Sequence, residues 1–110
     1  MAESRIDLLQ GTLDLLILRT IRLGPMHGWA ISERIQQISD DVLHVNQGSL
    51  YPAMHRLEHR GWIHANWGIS ELGRRARFYE LTPEGRKQLD LESENWARMT
   101  AAIGKVLEHA

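Results

Sequence analysis

The order of residues between Asn46 and Leu81 constrains this chain more than any other feature. Asn46-Gln47-Gly48-Ser49-Leu50-Tyr51-Pro52 opens a short helix, Arg56-Leu57 continues it, and Gly61-Trp62-Ile63 ends it and starts a strand. Gly61 suits the left-handed residue that closes a helix. The strand spans Trp62–Ile69, a polar turn rich in flexible residues follows over Ser70–Arg75, and a second strand occupies Ala76–Leu81. Helix, stop, strand, basic turn, strand is the order a winged helix-turn-helix requires. In that arrangement one helix enters a DNA groove and a charged hairpin reaches the flanking backbone.

The rest of the chain supplies supporting helices. Leu8, Leu9, Thr12, Leu13, Leu16, Ile17, Thr20 and Ile21 recur at helical spacing and predict a first helix over about Leu8–Leu23, with Asp7 as a cap. Gly24-Pro25 ends it, because proline cannot continue a helix. A second helix is expected over Gly28–Ile38, its apolar stripe formed by Trp29, Ile31, Ile35 and Ile38. Ser39-Asp40-Asp41 breaks it, and Val42–Val45 reads as a small strand or an extended connector. Either Asn46 or Ser49 caps the third helix. Ser49 would put Pro52 at the third helical position, where its missing N–H is not needed, whereas Gly48 relieves the proline clash if the helix starts earlier. Thr82-Pro83-Glu84 opens a last helix with a threonine cap, a proline at the first position and an acid in the first turn. It is expected to reach about Leu107. Leu89, Trp96 and Ile103 are seven apart on it, as are Met99 and Val106, which makes an a/d seam like that of a coiled coil.

The expected fold is therefore mainly α: a three-helix core with a two-stranded β wing over residues 1–82, and a long dimerisation helix over residues 83–110 that forms one unit with the first helix. A chain of 110 residues holds one modest core, and 43% hydrophobic and 25% charged residues suit an ordinary globular protein. The absence of cysteine excludes disulfides and thiolate chemistry. Met1-Ala2-Glu3-Ser4-Arg5 has no secretory pattern, and the apolar run Leu15–Leu18 is too short to span a bilayer, so a cytoplasmic location without membrane contact is expected. No convergent catalytic set is evident, which argues against an enzyme. Net charge is −1, but residues 55–87 carry seven basic and four acidic side chains, so the positive field gathers on the reading helix and hairpin.

Gln47, Ser49, Tyr51 and His55 are the candidates for the groove-facing side of the third helix. Gln47 suits adenine, and Ser49 or Tyr51 suits phosphate. The bland alternatives are that Ser49 only caps and Tyr51 only packs against the wing. Leu50, Met54 and Leu57 fall on the opposite, core side. Arg74, Arg75 and Arg77 at the hairpin tip suit phosphate or a narrow minor groove, unless the turn is merely solvated and Arg77 pairs with a carboxylate. Arg56 and Arg60 add backbone contacts or pair with Glu58 or its neighbours. Trp29 and Trp62 read as core, and alternation puts Trp67 on the face of Ile63 and Ala65. His55 and His59, four apart, share a helical face, but a third ligand is not evident and no metal or cofactor is expected. A winged-helix module that binds a partner protein through the same surface is the alternative to a DNA-binding protein.

The same residues resemble the PadR family of bacterial transcriptional regulators. The resemblance runs through Gly11, His27-Gly28-Trp29-Ala30-Ile31, Gln47-Gly48-Ser49-Leu50-Tyr51-Pro52, Arg56-Leu57 and Gly61-Trp62-Ile63. It continues through Arg74-Arg75, Arg77, Tyr79, Leu81-Thr82 and Gly85, and the chain is similar to small members with a single C-terminal helix. The resemblance implies a homodimeric repressor that binds an inverted repeat in double-stranded DNA and is released by an effector or stress signal. It implies a dimer interface made by the first and last helices. In some small members a flat aromatic effector sits between tryptophans at the dimer centre. Trp96 stands where such a tryptophan would, either as a ligand platform or as plain packing.

Overall fold

A computed structural model describes residues 8–110. In chain order the elements are α1 (Gln10–Thr20), β1 (Met26–His27), α2 (Gly28–Ile38), α3 (Gln47–His59), β2 (Ile63–Ile69), β3 (Arg75–Leu81) and α4 (Pro83–His109). The three strands form one antiparallel sheet in the order β1-β3-β2. The β2–β3 hairpin is the expected wing. The third strand, β1, is an addition of two residues, pairing Met26 with Tyr79 and His27 with Phe78. Val42–Val45 forms a connector between α2 and α3, outside the three strands.

Helix boundaries follow from local chemistry. The first residue of α1 is Gln10, its cap position is Leu9 without a side-chain bond, and the expected cap Asp7 lies outside the described residues. His27 caps α2: its Nδ1 accepts the Ala30 N–H at 3.3 Å. Asn46, rather than Ser49, caps α3, accepting the Ser49 N–H at 2.9 Å. Pro52 thereby falls inside the helix. The carbonyl it leaves without a donor is that of Gly48, an exposed residue near the start of the helix, where a lost bond is less costly than in a buried helix interior. At the other end of α3, Gly61 has φ of 78°. Its N–H donates to the Glu58 carbonyl and that of Trp62 to the Leu57 carbonyl, the paired bonds of a Schellman stop. Thr82 caps α4 as expected, accepting the Gly85 N–H at 3.0 Å.

Ile17, Leu18, Ile31, Leu50, Met54, Leu57 and Ile63 are fully buried and form one core with Tyr79, Leu81 and Leu89. Gly85 lets α4 dock here, because a Cβ at this position would overlap the Trp62 carbonyl oxygen. Two expectations for α2 need correction. Ile31 and Ile35 are buried, but Trp29 and Ile38 are exposed. Trp29 stands two residues from Ile31, about 200° around a helix, so it faces away from the core. Ile38, the last residue of α2, lies beyond the core's edge. Trp62 is partly buried and packs against the core, with the Arg60 guanidinium 5.1 Å from its ring centre. Leu89 also departs from expectation: it belongs to the protomer's own core, so the open seam of α4 starts further along, at Trp96. No helix among the described residues is long and apolar enough to cross a membrane.

Candidate nucleic-acid interface

The wing is a continuation of the core sheet. Register pairs Ile63 with Leu81, Ala65 with Tyr79, Trp67 with Arg77 and Ile69 with Arg75, so these eight side chains share one face. Its inner end is buried at Ile63, Leu81 and Tyr79. Further out the same face becomes exposed at Trp67, Ile69, Arg75 and Arg77. The alternation that placed Trp67 with Ile63 is therefore right, while the core ends before reaching it. The hairpin closes through Gly73, whose φ of 77° lies in the left-handed region that favours glycine. Ser70 N–H donates to the Arg74 carbonyl at 2.8 Å, and Ser70 Oγ accepts the Arg74 N–H at 3.3 Å.

The five arginines of this region divide by partner. Arg56 donates to Asp14 Oδ1 at 2.9 Å and joins α3 to α1. Burial pushes the Asp14 carboxyl above its ordinary value, with the Arg56 guanidinium opposing that rise. Arg77 donates to Glu58 Oε2 at 3.0 Å, which clamps the wing to α3. Arg60 lies over Trp62. Arg75 stacks on Trp67, its guanidinium carbon 4.6 Å from the ring centre. Among the described residues, Arg60, Arg74 and Arg75 pair with no carboxylate, all three are exposed, and of these only Arg74 and Arg75 stand on the wing. A guanidinium without a carboxylate partner keeps its full charge for a phosphate.

On α3 the core-facing expectation holds: Leu50, Met54 and Leu57 are buried. Gln47, Ser49, Tyr51 and His55 are exposed on the other side. Gln47 Nε2 donates to the buried Ser32 hydroxyl at 3.3 Å, which ties the start of α3 to α2. Tyr51 packs over Gly28, where a Cβ would come within 2.6 Å of its hydroxyl oxygen. His55 and His59 lie on one exposed face, and among the described residues no group of three metal-ligating side chains gathers. Opposite, His27 Nε2 stands 3.2 Å from Glu71 Oε1 at the wing turn. The Glu71 carboxyl is held below its ordinary value by its own backbone N–H and then by His27. His27, Trp29, Glu71 and Trp67 were not among the sequence candidates for this surface. Only Trp29 left a usable signal, its rotation away from the Ile31 stripe.

A small basic hairpin beside an exposed helix that a helical core supports defines a winged helix-turn-helix protein. The family model for "Transcriptional regulator PadR-like family" matches residues 17–91. The chain belongs to the PadR-like family of transcriptional regulators, which bind DNA and are not enzymes. Among solved structures it is similar to a transcriptional regulator from Clostridium thermocellum, 32% identical with a TM-score of 0.80, covering 87% of this chain and 93% of that one. A PadR family transcriptional regulator from Eggerthella lenta is 29% identical with a TM-score of 0.75, covering 92% of this chain and 86% of that one. An uncharacterised protein of Lysinibacillus sphaericus is 29% identical over 104 residues, which span 94% of this chain and 95% of that protein.

Proposed function

We propose that this regulator works as a homodimeric repressor that binds an inverted-repeat operator in double-stranded DNA and is released by an effector or stress signal. The observation that carries the reading is the pairing of two surfaces on one protomer. One is the exposed side of α3 next to the carboxylate-free Arg74 and Arg75. The other is the open seam of α4, where Trp96, Met99, Ile103 and Val106 are all exposed.

Such a seam on a 27-residue helix, about 40 Å long, is a surface for a second helix of the same kind. Beside it lies an apolar hollow bordered by Leu8, Leu9, Leu15 and Leu16 of the α1 region and by Trp96. A two-fold dimer closed there presents two α3 helices, and palindromic operators place such helices roughly 34–36 Å apart. Gln47, Ser49, Tyr51 and His55 then face the groove, with Arg74 and Arg75 on the flanking backbone. Arg56 and Arg77 act first as struts that hold α3 and the wing in place. An effector acts by preferring a dimer geometry that fits the operator poorly, since only differential affinity shifts such an equilibrium.

The test is a titration of the duplex upstream of this protein's own gene, at two salt concentrations and against random competitor. Tight, competitor-resistant, salt-sensitive binding by a dimer is the expected result. Salt-insensitive behaviour without competition by duplex would favour a protein-binding module instead.

A further inference from the structure

Between α2, α3 and the wing lies a cleft of about 490 Å³, a volume in the range of small-molecule sites. Its walls are aromatic: Trp29 is 55% exposed, Tyr51 46% and Trp67 61%, and all three line the same space. Its rim is cationic, formed by Arg74, Arg75 and Arg77. Gripping a phosphodiester backbone requires only the guanidiniums, with at most the Tyr51 hydroxyl, and leaves the large exposed indoles of Trp29 and Trp67 without a purpose. An apolar ligand would need the aromatics and leave the guanidiniums idle. The ligand class that uses both carries a planar ring and a multiply charged anion on one small frame.

We propose that this cleft is a binding site for a nucleotide, with the base stacked on the aromatic walls and the phosphate held by the wing arginines. Exposed aromatics beside arginines are how proteins hold unpaired bases, because every base has a π face. Arg75 already lies over Trp67 as one preformed side of such a stack. Glu71 and Ser70 at the cleft edge offer acceptors to an exocyclic amine of the base. The site is separate from the dimer seam. It rests on the reading that this face meets DNA in one respect only: a bound nucleotide occupies Arg74 and Arg75 and so competes with operator.

The four indole N–H resonances of Trp29, Trp62, Trp67 and Trp96 provide a site-by-site readout in the intact protein. They are assigned by single Trp→Phe replacement. Each of the four deoxynucleoside 5′-monophosphates is titrated, with ribose 5-phosphate, the free nucleosides and a short oligothymidylate as comparisons. The expected result is saturable shifts of Trp29 and Trp67 by a mononucleotide, with Trp96 unmoved. Trp67→Leu and, separately, Arg75→Gln should each weaken that binding by roughly tenfold or more, while thermal melting confirms that the variants fold. Shifts at Trp96 alone, equal binding of ribose 5-phosphate, or binding of the oligonucleotide without any mononucleotide would each overturn the proposal. A duplex titration in parallel separates the two readings. Operator binding without mononucleotide shifts sinks the nucleotide site and leaves the regulator, whereas the reverse pattern keeps the site and removes the operator face.

Discussion

Replacing Arg74 and Arg75 together with alanine tests the wing directly. Neither side chain has a carboxylate partner among the described residues, so their removal frees no buried charge and breaks no ion pair. Surface changes of this kind alter stability by roughly 0.5 kcal/mol or less, apart from the loss of the Arg75–Trp67 stack, worth about 0.5–1 kcal/mol at an exposed site. The effect on DNA should be far larger. Each phosphate contact on B-DNA contributes about 0.9 to the slope of log affinity against log salt, so in the proposed dimer two arginines on each of two wings contribute about 3.6. Over a fourfold rise in salt, from 50 to 200 mM, that is about two orders of magnitude of affinity. Wild type should lose this much more than the double variant across the range. Fluorescence anisotropy with labelled operator and with random duplex reads both slopes, and both should flatten by the same amount, because phosphate contacts carry no sequence information. Arg77→Ala is the internal comparison. It exposes Glu58, its ion-pair partner, to the same phosphates, so it should weaken binding through repulsion and a loosened wing. Parallel salt slopes for wild type and the double variant, with melting unchanged, would refute the wing as a phosphate contact.

Three further perturbations probe the frame. Gly85→Ala should cost about 3 kcal/mol or prevent folding, since its Cβ collides with the Trp62 carbonyl that accepts the Thr82 N–H at 3.1 Å; an unchanged urea midpoint would contradict this packing. Asp14→Asn should change the acid behaviour of stability: with its folded-state value raised above 3.8, Asp14 adds stability as pH falls through that raised value and levels off below the unfolded value, so wild type should gain on the Asn variant between pH 7 and pH 4 in urea melts, and a loss relative to it would mean that Arg56 outweighs burial. Trp96→Ala should weaken the proposed dimer by about 30-fold, the scale of an interface anchor worth about 2 kcal/mol, and sedimentation profiles identical to wild type over a dilution series would remove Trp96 from the seam.

Much of this architecture is legible because its signals are local. Thr82-Pro83 starts α4 and Gly61 stops α3 through bonds within a few residues of themselves. The core side of α3 follows from the spacing of Leu50, Met54 and Leu57 alone. The choice between Asn46 and Ser49 as cap is not legible, because each is locally sound and a proline inside an exposed first half of a helix is tolerated. β1 has only two residues, too few for any periodicity, and exists because β3 offers it an edge. The Asp14–Arg56 and His27–Glu71 pairs join residues 42 and 44 positions apart, a separation over which no spacing rule applies. Trp29 was legible in principle, since a tryptophan two positions from the core-facing Ile31 cannot share its helical face.

The division among arginines explains why net charge said so little about DNA. A phosphate meets only the charge that the fold leaves uncommitted. Arg56 and Arg77 sit in the same basic stretch of sequence as Arg74 and Arg75, yet the first two are each within 3.0 Å of a carboxylate. Those ion pairs fix α3 against α1 and the wing against α3, so the paired arginines set the geometry in which Arg74 and Arg75 are presented. Charge counted along the sequence gives both kinds equal weight. The sheet makes the same division among apolar residues: one face runs from buried Ile63 and Leu81, which anchor the hairpin, to exposed Trp67 and Arg75, which the anchored hairpin presents. Side chains held by such a base lose less freedom on contact than side chains on a free loop, and that preorganisation would lower the cost of the phosphate contact proposed for Arg74 and Arg75.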